Sequence, residues 1–410
     1  MQSADINPIP DALESILSSH LETPALVFSE AAIRRQLDLL SAIRESSGCR
    51  ILYSIKALPF VGLLDLILPA ADGFSASSLF EARLAAEAFQ RGGKPGPLHI
   101  TTPGLRQAEI AELAELCDAV SFNSLEQFQR LHPALEGRAA AGIRVNPQLS
   151  FLADRRYDPC RPFSKLGVPI GDLTAALESD ARLASQVEGI HFHTLFESRS
   201  FEPLRATLAN IEAALGRRME RLRWINLGGG YLLESEQAAE ALAGIVRDLR
   251  GRWGVAVYFE PGKAAVGPAG TLVASVIDQF ERDGKTIAVL DTGVHHLPEV
   301  FEYQKSPRVA GHDPEGRFEY LLAGCTCLAG DVFGDYRFER PLNVGGRVAF
   351  ENVGAYALVK ASRFNGYDLP SIHFQGVDGQ TTLVKRFGYE DYRRFWAADK
   401  PALAGNGTGI

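Results

Sequence analysis

Short apolar runs alternating with helix-like segments are the feature that most restricts the fold of this chain. Strand-like runs occur at residues 25–28, 51–54, 98–101, 119–122, 142–145, 189–193, 224–227 and 255–259. Helical patterns such as 79–89, 107–116, 204–215 and 238–249 lie between them. In the helix after the first run, Ile33, Leu37, Leu40 and Ile43 fall on one face. Repeated alternation with short connections implies a parallel sheet with helices packed outside it. So many units within about 240 residues fit a closed (β/α)8 barrel better than an open sheet. The expected barrel spans residues 23–266. Beyond it the texture changes: 271–278, 286–291, 318–322, 347–351 and 381–385 are β-like, and helical periodicity returns only at 389–396. A C-terminal, mostly antiparallel β domain is therefore expected over 267–400. Residues 1–22 form an N-terminal arm, and the Gly-rich 401–410 a flexible tail.

The 46% apolar and 22% charged content is that of a soluble globular protein. A net charge of −8 argues against a nucleic-acid partner. No apolar stretch is long enough to span a bilayer. The acidic N-terminus, broken by Pro8 and Pro10, does not read as a secretory signal. The five cysteines, Cys49, Cys117, Cys160, Cys325 and Cys327, are odd in number and mostly scattered. They read as reduced thiols, and a cytoplasmic location is expected.

Against this background a series of polar residues stands out. Lys56 ends the run Leu52-Tyr53-Ser54-Ile55. It either reaches water at the strand end or is desolvated, in which case its free amine can form a Schiff base. His191 and His193 share one face of a strand. No carboxylate or third histidine stands at a supporting spacing, so no metal site is expected. One packed histidine and one stacked on a flat ligand fit the pattern. Gly228-Gly229-Gly230 follows a strand, either as a tight turn or as a turn whose N–H groups approach a phosphate. Glu260, in Glu260-Pro261-Gly262, closes the last barrel-like strand and needs a cationic partner if buried. That partner is either a basic side chain or a protonated pyridine nitrogen. Cys325 and Cys327 sit in a glycine-bounded loop, as structural thiols or as a catalytic proton donor. Tyr356 either packs in the core or reaches a phosphate.

Taken together, these motifs resemble the alanine-racemase-like, fold type III pyridoxal-phosphate decarboxylases. Within that family the nearest branch is the one acting on carboxynorspermidine and carboxyspermidine. The resemblance runs from about Thr23 to Phe374 and rests on several motifs. The early ones are Tyr53-Ser54-Ile55-Lys56-Ala57, Ser164-Lys165-Leu166-Gly167, His191-Phe192-His193-Thr194-Leu195 and Asn226-Leu227-Gly228-Gly229-Gly230. Tyr157-Asp158-Pro159-Cys160, Glu260-Pro261-Gly262, Cys325-Thr326-Cys327-Leu328-Ala329-Gly330-Asp331, Phe350–Tyr356 and Phe364-Asn365-Gly366 complete the set.

The resemblance implies a pyridoxal 5'-phosphate cofactor. Lys56 would be its Schiff-base lysine, His193 the residue stacked on its ring, and Glu260 the partner of its pyridine nitrogen. Gly229, Gly230, Gly262 and Tyr356 would contact its phosphate, and Cys327 would reprotonate the substrate carbon. It also implies a homodimer with shared sites. For the ammonium groups of a cationic polyamine substrate, the candidate carboxylates are Asp331 first, then Glu299 and Glu302. Three positions depart from the family pattern: Cys325 in place of proline, Phe196 of cysteine, and Lys263 of arginine. They leave room for another substrate, such as diaminopimelate, a basic amino acid or a siderophore-type intermediate.

Overall fold

The computed structural model describes residues 11–18 and 21–397. The expected tail, 401–410, lies outside the described residues. The chain divides into two compact units, Ala31–Ala269 with Gly354–Val359, and the remainder.

The strand β1 (Ala25–Ser29) does not join the barrel. It pairs antiparallel with a later strand and parallel with another, Leu26 standing opposite Leu272 and Ile372. Its apolar run looks like a barrel strand, and only the non-local pairing assigns it elsewhere. The barrel is built from β2 (Arg50–Ser54), β3 (Gly73–Ala76), β4 (Leu98–Thr101), β5 (Ala119–Phe122), β6 (Ala140–Asn146), β7 (Gly189–His191), β8 (Trp224–Asn226) and β9 (Ala256–Phe259). All neighbours are parallel, and the β9–β2 and β5–β6 pairings close the ring. This is the expected eight-stranded closed barrel. β3 had no counterpart among the sequence-predicted strands, because Gly-Phe-Ser-Ala carries little β signal.

Serines cap several barrel helices as their sequence positions suggest. Ser78, Ser124 and Ser235 accept from the N–H groups of Glu81, Gln127 and Ala238. Inside the barrel, Leu52, Ala119, Trp224 and Tyr258 form a buried cluster. Gly142 and Gly189 make room for the Trp224 indole: a Cβ would stand 2.3 Å and 2.1 Å from its ring atoms.

The second unit is a sheet of β10 (Gly270–Arg282), β11 (Lys285–Leu290), β12 (Phe318–Ala323), β13 (Val332–Phe338), β14 (Arg347–Glu351), β15 (Ser371–Gln375) and β16 (Thr381–Lys385), with β1 between β10 and β15. It is mostly antiparallel; β1–β15 and β11–β12 are parallel. The helix Asp11–Ser18 belongs to this unit, with Ile16 packed against Val27 and Val273. Arg347 donates to the carbonyls of Ile16 and Leu21.

Gly189→Ala is expected to lower stability by about 1–3 kcal/mol, the usual cost of overpacking, as the indole is forced aside. Denaturant unfolding of the variant against the parent chain measures it.

Candidate active site

The C-terminal ends of the barrel strands converge on a cavity of ≈ 560 Å³, where barrels of this architecture carry their chemistry. Lys56 lines it from the 3-10 turn Ile55–Ala57 that ends β2. That turn is braced on both sides: Ser54 N–H donates to Pro261 O at 3.0 Å, and the Tyr53 hydroxyl to Leu58 O at 3.1 Å. Burial pushes the Lys56 pKa down; Glu260 offsets part of this and Arg144 adds to it. The free amine is therefore populated at lower pH than in an ordinary lysine.

Glu260 follows β9 and is almost wholly buried. Asn226 Nδ2 donates to its Oε1 at 2.8 Å, Ser75 donates to the carboxylate as well, and His191 Nε2 stands 3.5 Å from Oε2. Burial alone would raise its pKa. The attraction of His191, the Lys56 charge and the Ser75 hydrogen bond outweigh burial and hold the carboxyl below the ordinary range. His191 is itself pushed down by burial, with Glu260 offsetting part. Lys56 and Arg144 also face the carboxylate. Arg144, from β6, lines the same cavity with its pKa lowered by burial to about 10 and raised in part by Glu260.

His193 lies just past β7. Burial, and then the Lys56 charge, push its pKa well down. Its Nδ1 accepts from Gly229 N–H at 3.2 Å, which leaves Nε2 as the protonated nitrogen of a neutral ring. The glycine turn leaves no room for side chains. A Cβ on Gly229 would lie 2.4 Å from Glu260 O, and one on Gly230, at φ +94°, 2.2 Å from Leu195 O. Across the turn, a Cβ on Gly262 would lie 3.4 Å from the Tyr356 hydroxyl. Tyr356 holds φ 65°, a conformation rare outside glycine, and its N–H donates to Ala57 O at 2.9 Å. The barrel thus brings together Lys56, His193, Gly229, Gly230, Glu260, Gly262 and Tyr356.

Sequence reasoning missed Ser75, Arg144 and Asn226 as parts of this site. Arg144 and Asn226 had a legible signal, being polar residues inside otherwise apolar strands. Ser75 had none, since its strand went unrecognised. At the cavity wall, Phe196 stacks on Tyr157 at 4.7 Å. Lys263 pairs with Glu197.

The remaining candidates lie in the second unit. Cys327 is exposed, and its N–H donates to Asn365 Oδ1 at 3.1 Å. Cys325 is partly buried; desolvation first, then Asp331, push its thiol up to about 11. Asp331 is the first candidate for the substrate's ammonium groups. It is 3% exposed, its Oδ1 accepts from Val294 N–H at 2.7 Å, and its Oδ2 accepts from the Thr326 N–H and hydroxyl at 2.9 and 2.6 Å. Oδ2 braces the cysteine loop, and Oδ1 ties it to the turn at Val294. Glu299 lies in the first turn of helix Pro298–Tyr303, and Glu302 pairs with Lys360.

The family model for the pyridoxal-dependent decarboxylase, C-terminal sheet domain, matches residues 26–354. A carboxynorspermidine/carboxyspermidine decarboxylase of Herminiimonas arsenicoxydans is 34% identical over 91% of this chain and 98% of its own. A carboxyaminopropylagmatine decarboxylase of Synechocystis is also 34% identical, over 93% and 97%. The crystal structure of carboxynorspermidine decarboxylase complexed with norspermidine, from Campylobacter jejuni, superposes with a TM-score of 0.81 at 31% identity, covering 92% of this chain and 100% of that one. The cavity's donor set fits pyridoxal phosphate. It offers a buried amine, a carboxylate held ionised for a ring nitrogen, a neutral imidazole, and a turn in which Cβ atoms would fill the space.

Gly229→Ala is expected to weaken cofactor binding by at least about tenfold, roughly 1.4 kcal/mol, while the chain still folds. Absorbance titration of the apoprotein with pyridoxal phosphate, beside far-UV circular dichroism, measures both.

Proposed function

The chain belongs to the pyridoxal-dependent decarboxylases, and we propose that it decarboxylates a carboxylated polyamine of the carboxynorspermidine and carboxyspermidine class. The observation that carries this reading is end-to-end similarity, at 34% and 31% identity, to relatives named for that reaction. A relative named for carboxyaminopropylagmatine is equally similar, so a guanidinium-ended substrate of the same build is the second reading.

Pyridoxal phosphate, when bound, supplies a sink for the electron pair left as carbon dioxide departs. In this proposal Lys56 would hold the cofactor through its amine and could carry a proton at Nζ. Glu260 would accept from the ring nitrogen and keep it protonated. At about 4 Å and an effective dielectric of about 20, that attraction is worth about 4 kcal/mol before desolvation, roughly three pKa units. His193 would lie with its neutral ring against the cofactor. The N–H groups of Gly230 and Gly262 and the Tyr356 hydroxyl would hold the phosphate, with Gly229, whose N–H donates to His193 Nδ1, leaving room for it.

Cys327 delivers a proton to the carbon that lost its carboxylate. Its exposed thiol beside the exposed Leu328 supports a homodimer in which this loop completes the neighbouring subunit's site. The candidate carboxylates for the distal ammonium groups are Asp331, then Glu299 and Glu302, the last already paired with Lys360. No helix among the described residues is long and apolar enough to cross a membrane, and the proposal places the enzyme in the cytoplasm.

Incubation of the cofactor-loaded protein with carboxynorspermidine, carboxyspermidine, carboxyaminopropylagmatine, diaminopimelate, ornithine and arginine, with products identified by mass, tests the substrate. The expected outcome is carbon dioxide loss from the carboxypolyamines and little from the rest. Turnover of diaminopimelate or an amino acid in preference would overturn it. Cys327→Ala is expected to retain the cofactor and lose about 10²-fold or more in kcat; unchanged kcat would remove the thiol from the mechanism.

A further inference from the structure

Three hydrogen bonds close a ring around Glu260. Glu260 N–H donates to Gly228 O at 2.8 Å, Gly228 N–H donates to Asn226 Oδ1 at 2.9 Å, and Asn226 Nδ2 donates back to Glu260 Oε1 at 2.8 Å. Asn226 is the last residue of β8 and 0% exposed. Its Nδ2 also stands 3.4 Å from His99 Nδ1. His99 is neutral at neutral pH, its pKa lowered by burial to about 4, and can accept the second amide hydrogen. The side chain is thus satisfied at both ends, one facing the carboxylate and the other the glycine turn.

We propose that Asn226 is a positioning residue whose amide fixes the Glu260 carboxylate relative to the 228–230 turn, so that the two hold opposite parts of the cofactor as one rigid pair. This rests on the reading of Glu260 and the turn given above. A carboxamide suits the task. It offers Glu260 a hydrogen that it cannot release, so the carboxylate stays ionised, while its oxygen serves Gly228. A carboxyl in its place could do both only while protonated. A residue that merely supported the turn would need only the acceptor.

The test is pyridoxal phosphate affinity of N226A and N226D between about pH 6 and about pH 9, read by absorbance titration of the folded apoprotein, with melting temperature recorded separately. N226A should bind at least about tenfold more weakly across the range, the loss of one strong hydrogen bond to a charged group. N226D should bind close to the parent near pH 6, where a proton shared with Glu260 restores the donor. It should weaken at least about tenfold by pH 9, when two carboxylates would face each other. Affinities within about threefold of the parent for both variants at every pH would overturn the proposal, whatever the melting temperatures. N226D equally weak at both ends of the range would overturn the donor role. Should N226A not fold, N226D alone decides by these criteria. If the parent enzyme turned over no carboxypolyamine, the substrate reading would fall, while this comparison, which reads cofactor binding alone, would still decide for or against Asn226.

Discussion

A carboxylate sealed inside a barrel sets the terms for everything around it. An ion buried without partners costs several kcal/mol. Glu260 is therefore viable only because Asn226 and Ser75 donate to it and Lys56 and Arg144 oppose its charge. These partners come from four separate places: the turn after β2, then β3, β6 and β8. No local segment assembles them. Closure of the barrel does, so the integrity of the ring and the ionisation of Glu260 are one problem.

The same burial acts in opposite directions on the neighbouring groups. It favours the neutral forms of Lys56, His191 and His193, while Glu260 is held ionised and Arg144, lowered to about 10, stays cationic. A negative charge beside an amine that readily loses its proton is the combination that Schiff-base chemistry with a ring cation requires. The glycine turn adds a steric condition: its backbone reaches Glu260 O and Leu195 O so closely that side chains are excluded. In the sheet unit an analogous economy holds, since Asp331 lies against Gly293 and Gly324 and joins the cysteine loop through Oδ2 to the turn at Val294 through Oδ1.

Much of this was legible in the sequence, for identifiable reasons. Lys56, Glu260 and the glycine run each break an apolar pattern, and a polar residue at a strand end is visible without any fold. The barrel followed from alternation alone. Three things were not legible. The strand Gly73–Ala76, with Ser75, was too short and too weak in β propensity to register. Ala25–Ser29 was assigned to the barrel because hydrophobic periodicity does not reveal a strand's partner. For Asp331, the sequence shows a carboxylate but not the N–H groups of Val294 and Thr326 that donate to it.

The central claim is that Lys56 is the amine to which pyridoxal phosphate bonds. Borohydride reduction of the loaded protein, followed by protease digestion and peptide mass mapping, tests it most directly. The account predicts a single pyridoxyl adduct, carried by the peptide that contains Lys56. An adduct on Lys165, Lys263 or any other lysine, with Lys56 unmodified, would contradict it.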